Sequence, residues 1–406
     1  MRVLQFGSDS SAHALAWKLI NSTQLERLIV TPGNAAIALF TDTQPLAPSD
    51  PLALMARVLR EGITLAVADA QAIASGLVDE LQALPVPVCG ARQELWALQA
   101  SRCAAYEWFH HHRLPVARGR VCTSQASAEK FAASLPFPIV IAADDARGPV
   151  RVCTERIALP QAIAECLEFT GQGVLVQERP RGPLVSVGVL SDGETGIALP
   201  ATRLYVEPAQ PFAPPVGAHA AATRLWTRLE AHVQASVREP LLRALRSQGS
   251  PPTGWISVTC VLAEQGPLLQ GLALVPHGLE AACVLLRLGD DLLPLLQACA
   301  QHSLATLAPP HWSEQATLAV AVRTSSPTPL PLAELYTLLE PDTLTFLHND
   351  GLRTREEYAA LPPDTWAIVA SAAPTLEQAR ERVYRSLQRL ARPGIVFAGH
   401  IGTHEL

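Results

Sequence analysis

Residues 1–19 read MRVLQFGSDSSAHALAWKL. They form a short apolar strand (Val3, Leu4, Phe6), a turn of small polar residues (Gly7, Ser8, Asp9, Ser10, Ser11) and a helix opening near Ala12. A strand, tight turn and helix N-terminus in this order aim free backbone N–H groups and the positive end of a helix dipole at whatever fills the turn. A second apolar strand (Leu28, Ile29, Val30) ends in the turn Thr31-Pro32-Gly33-Asn34. In a parallel sheet both turns lie at the same carboxyl edge, where one ligand reaches both. Gly7, Ser8, Ser10, Ser11, Pro32, Gly33 and Asn34 are therefore candidate binding residues for a phosphate-bearing small molecule. Helix capping by the two serines is the competing reading.

The chain has 406 residues, 49% of them apolar and 17% charged, the balance of a folded protein with more than one packed unit. A net charge of -6 and the absence of basic runs exclude nucleic acid and anionic membrane as main partners. No apolar stretch is long enough to span a bilayer, and Met1 leads directly into a strand, so a cytoplasmic location is expected. The eight cysteines at 89, 103, 122, 153, 166, 260, 283 and 299 lack the close spacing of a metal site and read as buried thiols. His110, His111 and His112 close a helix-like stretch, where histidine is favourable beside the negative end of the dipole; adjacent residues on a helix point apart, which opposes joint metal binding. Of 31 basic residues only Lys18 and Lys130 are lysines. Chemistry that demands a lysine has two positions to choose from.

Through residue 100, strand candidates at 2–6, 27–30, 64–67 and 86–89 alternate with helices near 12–21, 51–60 and 72–82, a βαβ pattern that predicts a parallel sheet covered on both faces. A long helix begins near Gln93. From Leu114 the texture becomes α+β, with strands at 118–122, 138–142, 151–153 and 174–177 around helices at 127–134 and 160–169, the size of a lid. Strands at 184–191 and 196–200 lead into a proline-rich segment, 207–216, read as a loop or linker. Residues 225–246 read as helix, 255–262 and 267–274 as an antiparallel pair, and 280–304 as helix. Pro309-Pro310 marks a boundary, beyond which lie strands at 317–322 and 366–370. Thr375-Leu-Glu-Gln378 is a capping-box pattern opening a helix whose Leu376, Ala379, Val383, Leu387 and Leu390 face a core.

Several of these segments together resemble phosphoribosylamine-glycine ligase, an ATP-grasp family of purine synthesis. His13-Ala-Leu-Ala-Trp-Lys-Leu19 is similar to that family's first helix and Pro32-Gly-Asn-Ala35 to its second turn. Ser75-Gly-Leu-Val-Asp79, Cys89-Gly90, Pro138-Ile-Val-Ile141, Thr253-Gly254 and Ile401-Gly402 follow in order. The resemblance covers nearly the whole chain. It implies an α/β fold: a Rossmann-like preATP-grasp parallel sheet domain (1–100), an ATP-grasp region (101–308, lid about 114–180) and a C-terminal α+β domain (309–406). It also implies ATP and Mg2+ as cofactors, with a glycine carboxylate activated as an acyl phosphate and then attacked by the amine of phosphoribosylamine.

Position by position, the resemblance implies a rebuilt site. The family's lysine at the start of the long helix is Arg102 and its lysine after Pro-Ile-Val-Ile is Ala142. The glycine-rich phosphate loop is Asp145-Ala-Arg-Gly-Pro-Val-Arg151, where Pro149 removes a donor. The paired glutamates of the adenine strand are Gln177-Glu178. The metal-binding glutamate and asparagine are Gly271 and Ala273, neither able to offer magnesium an oxygen-bearing side chain; Glu280 is kept. The Gly-Gly-Arg-Glu before the first helix is Asp9-Ser-Ser-Ala12, the Gly-Pro-Glu turn is Ala68-Asp-Ala70, and the final Arg-x-Asp is Ala398-Gly-His400. Arg102, Glu178 and Glu280 are the remaining nucleotide-binding candidates, and neither catalytic residues nor metal ligands are assigned. The expectation is a catalytically inactive relative with a binding, regulatory or scaffolding role, partnered by a phosphate-bearing small molecule or by another protein such as an active paralogue. The alternative is an active carboxylate-amine ligase using Arg102, Arg147, Arg151 and Glu280. A dinucleotide-binding oxidoreductase is disfavoured, because the first turn lacks G-x-G-x-x-G.

Overall fold

The computed structural model describes residues 1–44, 51–170, 173–207, 214–221, 230–249, 251–324, 332–347 and 365–403. Five parallel strands, β1 (Arg2–Gly7), β2 (Arg27–Pro32), β3 (Asp42–Thr43), β4 (Leu65–Val67) and β5 (Val88–Cys89), form the first sheet in the order β3-β2-β1-β4-β5. Their apolar residues run on without alternation because both faces are covered, and Val3, Leu4, Leu28, Ile29 and Val30 are all buried. The chain leaves β1 toward β2 and later returns to its other side as β4. The strand order therefore reverses beside Gly7, where a doubly wound sheet opens its crevice.

The lid is a four-stranded antiparallel sheet of β6 (Gly119–Cys122), β7 (Ile139–Ala143), β8 (Val150–Cys153) and β9 (Val174–Glu178), ordered β6-β9-β7-β8. Side chains alternate across it. Ile139, Ile141, Ala143, Val174 and Val176 join the core under the helices Gln125–Ala132 and Leu159–Thr170. Val140, Ala142, Leu175 and Gln177 face a cleft on the other side.

Ten described strands build the large antiparallel sheet: β10 (Leu184–Ser191), β11 (Gly196–Ala198), β12 (Thr202–Tyr205), β13 (Gly217–Ala220), β14 (Gly254–Ala263), β15 (Gly266–Ala273), β16 (Ala316–Thr324), β17 (Thr343–Leu347), β18 (Thr365–Ala373) and β19 (Ile395–Phe397). The path runs β15-β14-β10-β12-β13-β16-β18-β17, with β11 on β10 and β19 on β16. It crosses the boundary expected at 309, since β13 pairs with β16. Strands β12 and β13 flank the proline-rich segment, whose residues 208–213 lie outside the described ones, as do residues 225–229 of the helix expected at 225–246.

Other departures have local causes. The helix expected from Gln93 breaks at Ser101, which turns extended (φ -116°, ψ 119°), bridges to Asp145 and caps a new helix, Arg102–His111. The helix expected at 280–304 is two, Gly278–Arg287 and Leu292–Ala300, with Asp291 capping the second. The helix Leu376–Leu390 matches its sequence signal: Gln378 N–H donates to Thr375 Oγ1 at 3.2 Å, and the five apolar positions are buried. All eight cysteines are buried and free. The triple histidine closes the helix Arg102–His111, with His112 as its C-cap. No helix among the described residues is long and apolar enough to cross a membrane.

What joins the first sheet to the large one is the contact of the first helix, Ser10–Leu19, with the helix Gly278–Arg287, whose apolar residues share one core. Their closest approach needs a residue with no side chain. A Cβ at Gly278 would stand 2.2 Å from Ser10 Oγ and 2.9 Å from Ile368 Cδ1. Gly278→Ala is expected to destabilise the chain by about 1–3 kcal/mol through overpacking, with Ser10→Gly recovering part of the loss in the double variant. Urea denaturation of the four chains measures the coupling.

Candidate functional site

Two places warrant a site by geometry: the crevice beside Gly7 and the cleft between lid and large sheet. At the first, Gly33 N–H donates to the Gly7 carbonyl oxygen at 3.1 Å, so the two predicted turns meet. The cap of the first helix is Asp9, whose Oδ1 accepts from Ala12 N–H at 2.8 Å and from Ser11 Oγ at 2.7 Å. Ser10 and Ser11 lie inside the first turn and are buried. Asn34 Oδ1 accepts from the N–H groups of Ala36 and Ile37, both at 3.0 Å, and its Nδ2 donates to the carbonyl oxygens of Ser8 at 2.7 Å and Leu347 at 3.3 Å. Asp69, the cap of the helix Ala70–Ala74, has its Oδ2 3.6 Å from where a Gly7 Cβ would be. Burial first, and then the charge of Asp9, pushes its carboxyl up to about 6. The seven predicted residues are thus brought together. Beside them the helix N-terminus is engaged by the chain's own carboxylate, and a second carboxylate stands at the turn.

His13, one turn into that helix, is equally committed. It stacks on Phe40, its Nδ1 accepts from Leu347 N–H at 2.9 Å, and burial pushes its pKa down to about 4. Lys18 Nζ donates to the Leu288 carbonyl oxygen.

The second place is a cleft of 1370 Å³ walled by β7, β9 and the loop after β7 on one side, and by β10, β12, β14 and β15 on the other. Arg102 and Glu280 line it; Gln177 faces it in place of Glu178, whose carboxylate lies 3.7 Å from Arg118 on the alternate face of β9. Arg102 is closed on the loop that follows β7. Its Nη1 donates to the carbonyl oxygens of Ala143 at 3.0 Å, Asp145 at 2.6 Å and Gly148 at 3.2 Å, and its Nη2 to that of Ala146 at 2.6 Å. The same loop returns a carboxylate to the helix N-terminus: Asp144 Oδ1 accepts from Cys103 N–H at 3.0 Å and from the Ser101 hydroxyl. A guanidinium spent on four carbonyls and a helix N-terminus filled by Asp144 leave little there for a ligand's phosphate.

Glu280 sits in the first turn of the helix Gly278–Arg287, fully buried. Ser257 Oγ lies 2.7 and 2.9 Å from its two oxygens and receives the Trp255 indole N–H at 2.9 Å. Burial pushes the carboxyl up to about 7 against these bonds. The family's Mg2+ does not fit this donor set. Gly271 and Ala273 bring no side-chain oxygen, Glu280 is held by Ser257, and among the described residues no group of three or more His, Cys, Asp or Glu is placed to hold a metal ion.

Sequence reasoning missed the cleft's other cations. Arg179, Arg181 and Arg203 line it with His277 and His400, beside the anticipated Arg147 and Arg151. The pair Arg179 and Arg181, two residues apart and directly after the β9 strand, was the available signal.

A parallel sheet domain, an antiparallel lid and a large antiparallel sheet closing on one cleft define an ATP-grasp protein. The chain belongs to the phosphoribosylamine–glycine ligase family. The profile described as "Phosphoribosylglycinamide synthetase, N domain" matches residues 1–98 and that described as "Phosphoribosylglycinamide synthetase, ATP-grasp (A) domain" residues 100–273. Phosphoribosylamine–glycine ligase of Phenylobacterium zucineum is 28% identical over 96% of each chain, and that of Nostoc sp. is 30% identical over 79% of each. The crystal structure of phosphoribosylamine–glycine ligase from Thermotoga maritima superposes with a TM-score of 0.76 over 98% of both chains at 16% identity.

Two outcomes follow from this geometry. Arg102→Ala is expected to cost on the order of 2 kcal/mol and to release the amides of residues 143–148 to rapid hydrogen exchange, read by mass spectrometry beside a urea titration. The Glu280 carboxyl is protonated in folded and unfolded chains below about pH 4.5. As pH rises through about 7 the unfolded chain ionises first, so folded stability is lost across that window, by about 3 kcal/mol at most. Glu280→Gln is expected to flatten this loss in denaturation at pH 5 and pH 8.

Proposed function

We propose that this member of the ligase family keeps its cleft as a binding site for a phosphate-bearing small molecule and does not carry out magnesium-dependent activation of a carboxylate, so that it serves purine biosynthesis as a binding, regulatory or scaffolding relative. The observation that carries this reading is the pair Gly271 and Ala273 on β15, which face the cleft without a metal-binding oxygen. Transition-state charge on a transferring phosphoryl group needs cations fixed in place, and each is worth orders of magnitude in rate. Arg102, the natural substitute for a lost lysine, is tied to the carbonyls of its own loop.

A second reading, an active carboxylate-amine ligase with a rebuilt site, is favoured by the full-length relatives that bear the ligase name and by Arg147 and Arg151 on the cleft wall. One assay separates the two. Incubated with Mg-ATP, glycine and phosphoribosylamine, the chain is expected to release no glycine-dependent ADP, while a phosphate ester at 100 times its Kd raises stability by about 2.7 kcal/mol in a thermal-shift measurement. Glycine-dependent ADP release that disappears in Arg147→Ala and Arg151→Ala would establish the second reading instead.

A further inference from the structure

We infer that the cleft holds a polyphosphate-type anion through the guanidinium groups of the loop joining lid to large sheet, with no divalent cation in the complex. This rests on the cleft being a binding site, as proposed above.

The loop is Arg179-Pro-Arg-Gly-Pro183, between β9 and β10, and all five of its residues line the cleft. Arg179 is half-buried and Arg181 exposed, and neither forms an ion pair among the described residues. The other cleft arginines differ. Arg147 lies 3.2 Å from the Asp145 carboxylate and Arg151 2.7 Å from that of Glu165, so each largely cancels within the lid. Arg102 is turned away onto the carbonyls of its own loop, so the cationic side chains of the joining loop are the ones that no described ion pair balances and no backbone cradle occupies.

The loop also has a fixed position. Pro180 and Pro183 lock two of its φ angles. Gly182, at φ +147°, lies so close to β14 that a Cβ there would be 2.0 Å from the Leu262 carbonyl oxygen. Two cations on a stiff, anchored segment lose little backbone freedom when they take a ligand. On the facing strand β12, Arg203 also lines the cleft, its guanidinium 5.1 Å from the centre of the Tyr205 ring.

The only carboxylate lining the cleft among the described residues is Glu280, fully buried and bonded to Ser257. The wall therefore offers an anion cationic partners and offers a divalent ion almost none. Arginine binds phosphate oxygens directly, through paired N–H donors. A magnesium-bound polyphosphate has part of its negative charge already neutralised and meets such a wall less favourably than the bare anion.

Isothermal titration of the full chain with ATP and with inorganic tripolyphosphate, each in excess Mg2+ and in EDTA, tests this. Binding in EDTA is expected to be at least as tight as in Mg2+ and to weaken with added salt. The R179Q/R181Q variant is expected to bind about tenfold or more weakly in EDTA, with R179K/R181K in between and urea midpoints unchanged. Tripolyphosphate matching ATP assigns recognition to the phosphates alone; tighter ATP adds a contribution from the nucleoside, and both support the inference. Binding that requires Mg2+, or an R179Q/R181Q variant as tight as the parent, overturns the inference and leaves the binding reading standing. Absence of binding by both probes in both conditions overturns the inference, and the phosphate-ester thermal shift then decides the binding reading separately.

Discussion

The Arg102–Asp144 exchange is the constraint on which the cleft depends. Arg102 reaches forward to four carbonyl oxygens of residues 143–148, and Asp144 reaches back to the N-terminus of the helix that carries Arg102. Each group satisfies orphan partners of the other's element, so helix and loop are fixed as a unit. The same device recurs beside Gly7, where Asp9 closes the first helix and Asp69 the helix after β4. At these three helix starts the positive dipole end is answered by a carboxylate of the chain itself. In a family whose substrates are phosphorylated, the protein has internalised the anions.

Much of the fold was legible because its signals are local. The unbroken apolar runs of β1 and β2, the Thr375 cap and the helical spacing of Leu376, Ala379, Val383, Leu387 and Leu390 each follow from periodicity or turn chemistry. What escaped was set by distant partners. Ser101 breaks a helical run because Asp145, far along the chain, pairs with it in extended form. Strands β12 and β13 are short and flank prolines; they exist because β10 and β16 offer edges to pair with. Of the candidate site, the losses at positions 142, 271 and 273 could be read from residue identity alone. Which way a surviving residue points could not. Glu178 and Gln177 occupy successive positions on β9, and only the register of the lid sheet decides that Gln177 meets the cleft.

Electrostatically the molecule is divided. The crevice beside Gly7 has carboxylates at Asp9 and Asp69, while the cleft is lined by arginines and one buried, largely satisfied glutamate. A net charge of -6 conceals that separation. Attraction for anions is concentrated where lid meets large sheet, the part of the fold whose walls belong to different packed units.

The bond from Leu347 N–H to His13 Nδ1 joins residues 334 positions apart, and Asn34 Nδ2 reaches the Leu347 carbonyl as well. The first helix also needs the helix at 278–287 to cover it. During synthesis the N-terminal sheet therefore emerges long before its covering elements exist, with His13 and an apolar helix face awaiting chain still to be made. Such high contact order slows folding and prolongs exposure of apolar surface. A unit made ahead of its partners is thus one of the last that the chain can finish.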